Sequence, residues 1–235
     1  MLRQGMKNKL SIETTTGSYS AYLAIPRVQK GPGLLVLPEI YNSNHHIRSV
    51  ADQFASAGFL SLAPDVFWRI RSDCYLPYTA NGLQNAREMN QELDVNQLIN
   101  DLGVALETLG NHERCSGLVG SVGFCLGGKL SFLCAARLEV QAAVSYYGVN
   151  IENYLEEADQ VTCPMLLHFA GNDPRVPAEA RRRIEERMSK KPDVQIHLYE
   201  DAEHGFNRLG YPPYHETAAK LAWERTTALF SDYLR

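Results

Sequence analysis

Short apolar runs alternate with longer segments of helical period along most of the chain, and this alternation limits the possible folds more than any other feature. The apolar runs fall at 34–37, 60–63, 118–122, 142–147, 165–170 and 194–199. Each has the length of a strand and lacks the length of a helix. Between the first two, Ile47, Val50, Ala51, Phe54 and Ala55 share one helical face, with Ser43 and Asn44 as caps before them and Gly58 as a stop after them. Val95, Leu98, Ile99, Leu102, Ala105, Leu106 and Leu109 repeat the pattern ahead of Gly110. Further helices are expected after Gly127, over about 178–188, and over about 217–233. Such alternation predicts an α/β protein with a mainly parallel sheet covered by helices on both faces. Ligands then bind beyond the carboxyl ends of the strands.

Two further stretches frame this pattern. Residues 11–15 and 19–25 alternate in polarity and predict a hairpin at a sheet edge. Residues 65–90 break the alternation: they are long, polar and rich in aromatics, and they read as a loop excursion. No repeat, low-complexity tract or linker divides the 235 residues, so a single domain over 1–235 is expected.

Composition excludes some function classes. Hydrophobic residues make up 45% and charged residues 21%, a globular balance that argues against disorder. The formal net charge of -4 lacks the basic excess a nucleic-acid partner requires. The first ten residues, MLRQGMKNKL, carry no apolar run of signal-peptide length, and nothing approaches the roughly 20 apolar residues of a membrane span. The five cysteines are odd in number and include no C-x-x-C pair, which points to unpaired thiols and a reducing cytoplasm.

The chemistry is concentrated in Gly123-Phe124-Cys125-Leu126-Gly127-Gly128, which joins an apolar run to a helical segment. A sharp strand-to-helix turn crowds the backbone around its central residue, so the positions two before and two after it must be small. The turn also sets the sulfur of Cys125 at a helix N-terminus, where the dipole favours a thiolate. Cys115, Cys134 and Cys163 lack such surroundings and read as core. Gly123 to Lys129 also matches most of a phosphate-binding loop, but Leu130 stands where the magnesium-binding hydroxyl is needed.

A thiol nucleophile needs a base, and the base needs an orienting carboxylate. Asp173 follows the run 165–170 in Gly171-Asn172-Asp173, and His204 follows 194–199 in Glu203-His204-Gly205-Phe206. Both fall after strands, in the order nucleophile, acid, histidine. One oxyanion donor is expected from the loop after the first long strand and one from the residue after the nucleophile, namely the N–H groups of Ile40 and Leu126. The other histidines show no ligand spacing, so no metal is expected.

Taken together, these residues resemble the dienelactone hydrolase (carboxymethylenebutenolidase) family of the α/β-hydrolase superfamily. The resemblance covers nearly the whole chain. It rests on Pro38-Glu39-Ile40-Tyr41, Leu62-Ala63-Pro64-Asp65, Gly123 to Gly128, Tyr146-Tyr147-Gly148, Gly171-Asn172-Asp173 with Val176-Pro177, and His204-Gly205-Phe206. It implies a three-layer fold and hydrolysis of an ester or lactone by Cys125, His204 and Asp173, with no cofactor. It implies that Glu39 accepts a hydrogen bond from the resting thiol. It also implies two arginines that bind a substrate carboxylate. Arg208 stands at the place of one; Leu83 stands at the place of the other, with Arg87 four residues later. Tyr147 and Phe206 complete the expected substrate-binding set. Gly205 replaces the small hydroxyl residue expected after the histidine. The alternative reading is a non-catalytic or redox-related binding protein on the same fold.

Overall fold

The computed structural model describes residues 8–234; the opening segment read for a leader lies largely outside them. The chain divides into two compact units, one ending at Val119 and the other beginning at Gly120.

In the first unit, β1 (Lys9–Thr14) and β2 (Gly17–Ala24) form the expected antiparallel hairpin. β2 pairs antiparallel with β4 (Leu60–Pro64), and β4 pairs parallel with β3 (Gly31–Leu37). Every residue of β3 and β4 is buried, as their unbroken apolar runs require. Helix α1 (His45–Ser56) links β3 to β4, capped by Asn44, whose side chain accepts from the Ile47 N–H. Its buried face is Ile47, Val50, Ala51, Phe54 and Ala55, joined by His46.

The excursion at 65–90 is more ordered than its composition suggests. It holds a single turn, α2 (Trp68–Arg71), and most of a 12-residue helix, α3 (Ala80–Gln91). The buried stripe of α3 is only Gly82, Ala86 and Met89, too small to register as an apolar period, and its cap is Thr79. α4 (Val95–Gly110) follows and clamps α2. Asp101, buried on α4, accepts from Trp68 Nε1 at 3.0 Å and from Arg69 Nε and Nη2, both at 2.8 Å. A guanidinium gripped at two points by a buried carboxylate holds the start of the excursion in place.

The second unit begins within β5 (Cys115–Phe124) and continues through α5 (Leu126–Arg137), β6 (Ala143–Tyr146), β7 (Met165–Asn172), α6 (Ala178–Met188), β8 (Val194–Glu203) and α7 (Glu216–Tyr233). The pairs β5–β6, β6–β7 and β7–β8 are all parallel. The register of β7 and β8 is regular from Met165↔Val194 to Ala170↔Tyr199 and then shifts between Ala170 and Asn172. That irregularity falls just before Asp173, which follows β7, and His204, which follows β8. Among the described residues no helix is long and apolar enough to cross a membrane.

Candidate active site

The turn after β5 has the geometry its glycines predict. Cys125 adopts φ 56°, ψ -112°, a backbone conformation costly for any side chain. A Cβ on Gly123 would lie 1.8 Å from the carbonyl oxygen of Gly127, so no other residue fits there. A Cβ on Gly128 would lie 2.6 Å from the Gly148 Cα and 2.7 Å from the Ser145 hydroxyl. Cys125 is tied at both ends. Its N–H donates to the Tyr146 carbonyl at 3.0 Å, and its carbonyl accepts from Gly128 and Val149 N–H groups at 3.0 and 3.2 Å. Leu126, the first residue of α5, is buried, and the N–H of a first helical residue has no partner in the ladder.

Asp173 and His204 meet as the strand positions suggest. Asp173 Oδ1 accepts from the N–H groups of Arg175 and Val176 at 2.8 and 3.2 Å, which fixes the carboxylate plane. Its Oδ2 lies 2.8 Å from His204 Nδ1. Both side chains are buried. The bond assigns the Nδ1 proton and leaves Nε2 for another task. Nε2 is buried without a conventional hydrogen bond to a described residue, and the Cys125 thiol is the group acting on it. Burial opposes protonation of His204, but the charge on Cys125 and the Asp173 bond outweigh it and raise the imidazole to about 9.

The Tyr147 ring stands edge-on to His204 at 4.9 Å and to Phe206 at 5.3 Å. Both aromatic side chains are fully buried, and Tyr147 is the one packed on the imidazole. Arg208 is half-buried, and its guanidinium lies over Gly205, where a Cβ would stand 2.8 Å from Cζ and Nε. Lys129, one turn into α5, carries no mark in the sequence beyond its phosphate-loop match. It is only 7% exposed, and burial holds its ammonium below the usual lysine range while Cys125 acts in the opposite sense.

The remaining candidates belong to the first unit. Glu39 follows β3 and is 0% exposed; it accepts from the Tyr78 hydroxyl at 2.7 Å. Tyr78 also stands edge-on to Tyr41 at 4.7 Å. Nothing in the spacing of the excursion marks Tyr78 as the residue that reaches Glu39. Ile40 is half-buried beside it. Arg87 lies exposed on α3, off the buried stripe, and Arg69 is committed to Asp101. Among the other cysteines, Cys115 and Cys134 are buried as expected, and burial pushes the Cys134 thiol up to about 12. Cys163, expected in the core, is only half-buried. Among the described residues no three His, Cys, Asp or Glu side chains group as a metal site.

A parallel α/β unit with its cysteine on a glycine-framed turn, and a bonded Asp–His pair beyond the next strand ends, has the architecture of an α/β-hydrolase. The comparison with known proteins narrows this. The dienelactone hydrolase family profile matches residues 19–234, and the chain belongs to that family. A carboxymethylenebutenolidase of Pseudomonas putida is 34% identical over 227 residues, covering 96% of this chain and 94% of its own. One from Pseudomonas sp. strain P51 is 34% identical over 230 residues, covering 96% and 94%. A crystal structure from Klebsiella pneumoniae assigned to dienelactone hydrolase superposes with a TM-score of 0.85 at 25% identity, over 96% of this chain and 98% of that one.

Proposed function

We propose that the protein hydrolyses a carboxylic ester or lactone of the dienelactone kind through a thioester acyl-enzyme on Cys125. The observation that carries this is the His204–Asp173 bond, with the free imidazole nitrogen acted on by a cysteine in a strained glycine-framed turn. As substrate displaces Glu39 from the thiol, Cys125 gives its proton to His204; the thiolate then attacks the carbonyl carbon, and the N–H groups of Ile40 and Leu126 hold the oxyanion. The intermediate collapses, the C–O bond breaks, and His204 gives its proton to the departing alkoxide oxygen. In a lactone that oxygen stays tethered to the acyl chain. Water then loses a proton to His204 and attacks the thioester, and the carboxylic acid leaves as Cys125 regains its charge. Asp173 keeps the Nδ1 proton in place throughout.

Glu39 takes the resting thiol's hydrogen bond in this proposal. Its complete burial and its bond to Tyr78 favour a placed group over a solvated strand-end carboxylate. Arg208 reads a substrate carboxylate, Tyr147 and Phe206 shape the acyl pocket, and Arg87 is a lesser contributor because of its exposure. The reaction needs no cofactor, metal, nucleic acid or membrane. We assign the whole chain to one catalytic domain and, on its unpaired thiols, to the cytoplasm.

The test is a panel of lactones, aryl esters and thioesters, each with and without a free carboxylate, run on the natural enzyme and on Cys125→Ala. We expect turnover of the lactones and esters by the natural enzyme and none by the variant. Full activity in the variant removes the cysteine mechanism. A panel with no turnover favours the binding-protein alternative.

A further inference from the structure

A chain of polar groups, buried except for the half-buried Arg225, is left unused by the mechanism. It starts at Arg225 on α7, whose Nη1 donates to the Tyr199 hydroxyl at 3.1 Å. Tyr199, on β8, lies 2.9 Å from Nδ1 of His168 on β7. His168 Nε2 lies 3.1 Å from the Thr226 hydroxyl on α7, and that hydroxyl lies 2.7 Å from the Tyr146 hydroxyl on β6. His168, Thr226 and Tyr146 are at most 1% exposed.

The proton positions are those that give every donor of the chain an acceptor. A guanidinium only donates, so Tyr199 accepts from Arg225. The Tyr199 proton then has His168 Nδ1 as its acceptor. Burial, with the charges of His197 and Arg225, holds His168 well below its usual range, so the imidazole is neutral. Its single proton is on Nε2 and is donated to Thr226. Arg225 thereby selects one tautomer of a buried histidine two bonds away.

The location gives the chain its purpose. His168 and Tyr199 bridge β7 and β8 next to the register shift at Ala170–Asn172. Asp173 lies five residues beyond His168, and His204 lies five residues beyond Tyr199. The carbonyl of His168 accepts from the Tyr147 N–H at 2.7 Å, and the Tyr147 ring is the one packed on His204. Phe206, two residues past His204, packs on the Tyr199 ring at 5.1 Å. The side-chain bridge therefore holds the last regular part of the two strands that lead into Asp173 and His204.

We infer that His168 and Tyr199 are positioning residues for the Asp173–His204 pair, locked in one tautomeric arrangement by Arg225 and Thr226. The inference rests on the catalytic roles proposed above for Asp173 and His204, and its test does not need turnover. The His204 Nδ1 proton, bonded to Asp173, should give a resolved proton resonance downfield of the amide region. Thr226→Val removes the acceptor of the His168 proton at equal size, Thr226→Ser keeps it, and Tyr199→Phe removes the donor to Nδ1. In Thr226→Val and Tyr199→Phe the resonance should broaden or move upfield. The rate kcat should fall by about 10- to 100-fold, the range a displacement near 1 Å produces, with KM within about threefold. Thr226→Ser should keep the resonance and most of kcat. A resonance at its natural position in both damaging variants, with kcat within about twofold, overturns the inference even if they melt at lower temperature, for the network is then only structural. Thr226→Ser as impaired as Thr226→Val also overturns it. If Thr226→Val does not fold, Tyr199→Phe decides. If Cys125→Ala retains full esterase activity, the mechanism fails while the resonance still reports on the positioning.

Discussion

The guanidinium of Arg208 lies so close over Gly205 that a methyl group at residue 205 would stand 2.8 Å from Cζ and 3.0 Å from Nη1. The missing side chain is thus the seat of the arginine. If Arg208 reads a substrate carboxylate, two substitutions should have the same signature. Arg208→Ala should raise KM at least tenfold for a carboxylate-bearing ester and less than about threefold for a neutral ester of similar size. A hydrogen bond to a charged group is worth roughly 1.5–3 kcal/mol. Gly205→Ala should push the guanidinium aside and lower the same preference for anions, although the φ of 92° at this position adds a backbone penalty on both substrates. Steady-state kinetics on the matched pair measures it. Equal losses on both substrates in Arg208→Ala make the arginine a support of the His204 loop.

The proton on His204 should depend on Cys125. Burial lowers the imidazole, and the charge Cys125 carries when ionised is the first influence that raises it. Natural enzyme should therefore titrate near 9 by histidine NMR. In Cys125→Ala the value should drop, with the Asp173 bond alone opposing burial. The linkage has a sign. A histidine raised above its unfolded value of about 6.5 adds stability that is complete below pH 6.5 and disappears as pH rises through about 9. The stability gap between natural enzyme and His204→Ala should narrow across that window. An unchanged titration in Cys125→Ala means that the sulfur does not couple to the imidazole.

Glu39 offers a test in the resting state. A carboxylate beside a thiol disfavours its ionisation. Glu39→Gln should then speed alkylation of Cys125 by iodoacetamide at neutral pH. Tyr78→Phe, which strips a hydrogen bond from the same carboxylate, should shift the rate in the natural background and have no effect in Glu39→Gln. Rates against pH that overlay for natural enzyme and Glu39→Gln place the carboxylate out of reach of the sulfur.

His168 should make the fold sensitive to acid. Burial, first of its causes, lowers the folded imidazole well under 6.5, so below pH 6.5 only the unfolded chain gains the proton. Stability is complete above the unfolded value and is lost as pH falls toward the folded one, by ~1.4 kcal/mol per pH unit while only the unfolded state is protonated. His168→Gln should flatten this slope between pH 6.5 and 5 in urea titrations. His197, also lowered by burial, leaves a residual slope of the same sign. A slope unchanged in His168→Gln assigns the acid sensitivity elsewhere.

The meeting of Asp173 with His204, and the strained turn at Cys125, were legible in the sequence because each residue carries a local mark. Two glycines frame Cys125, and Asp173 and His204 follow apolar runs in the right order. The strands were legible for the same reason, since full burial leaves an unbroken apolar run. Helix α3 was hidden because Gly82, Ala86 and Met89 pack closely without large side chains. The partnership of Tyr78 with Glu39 and of Asp101 with Arg69 spans 39 and 32 residues, and no periodicity encodes such a pairing. The role inferred for His168 was equally silent. A histidine within a strand shows nothing of its tautomer until Tyr199 and Arg225 are seen to supply the donors.

The 1.8 Å gap that a Cβ on Gly123 would leave to the Gly127 oxygen divides the nucleophile turn into two kinds of position. At residue 123 the backbone occupies the space any side chain needs, so that position is closed to replacement. At residue 125 the strain is already present, and exchanging sulfur for oxygen changes one atom without touching the frame. On the proposed mechanism the identity of the reacting atom is therefore the interchangeable part of this machine, and a Cys125→Ser protein should keep its shape while its chemistry is reset.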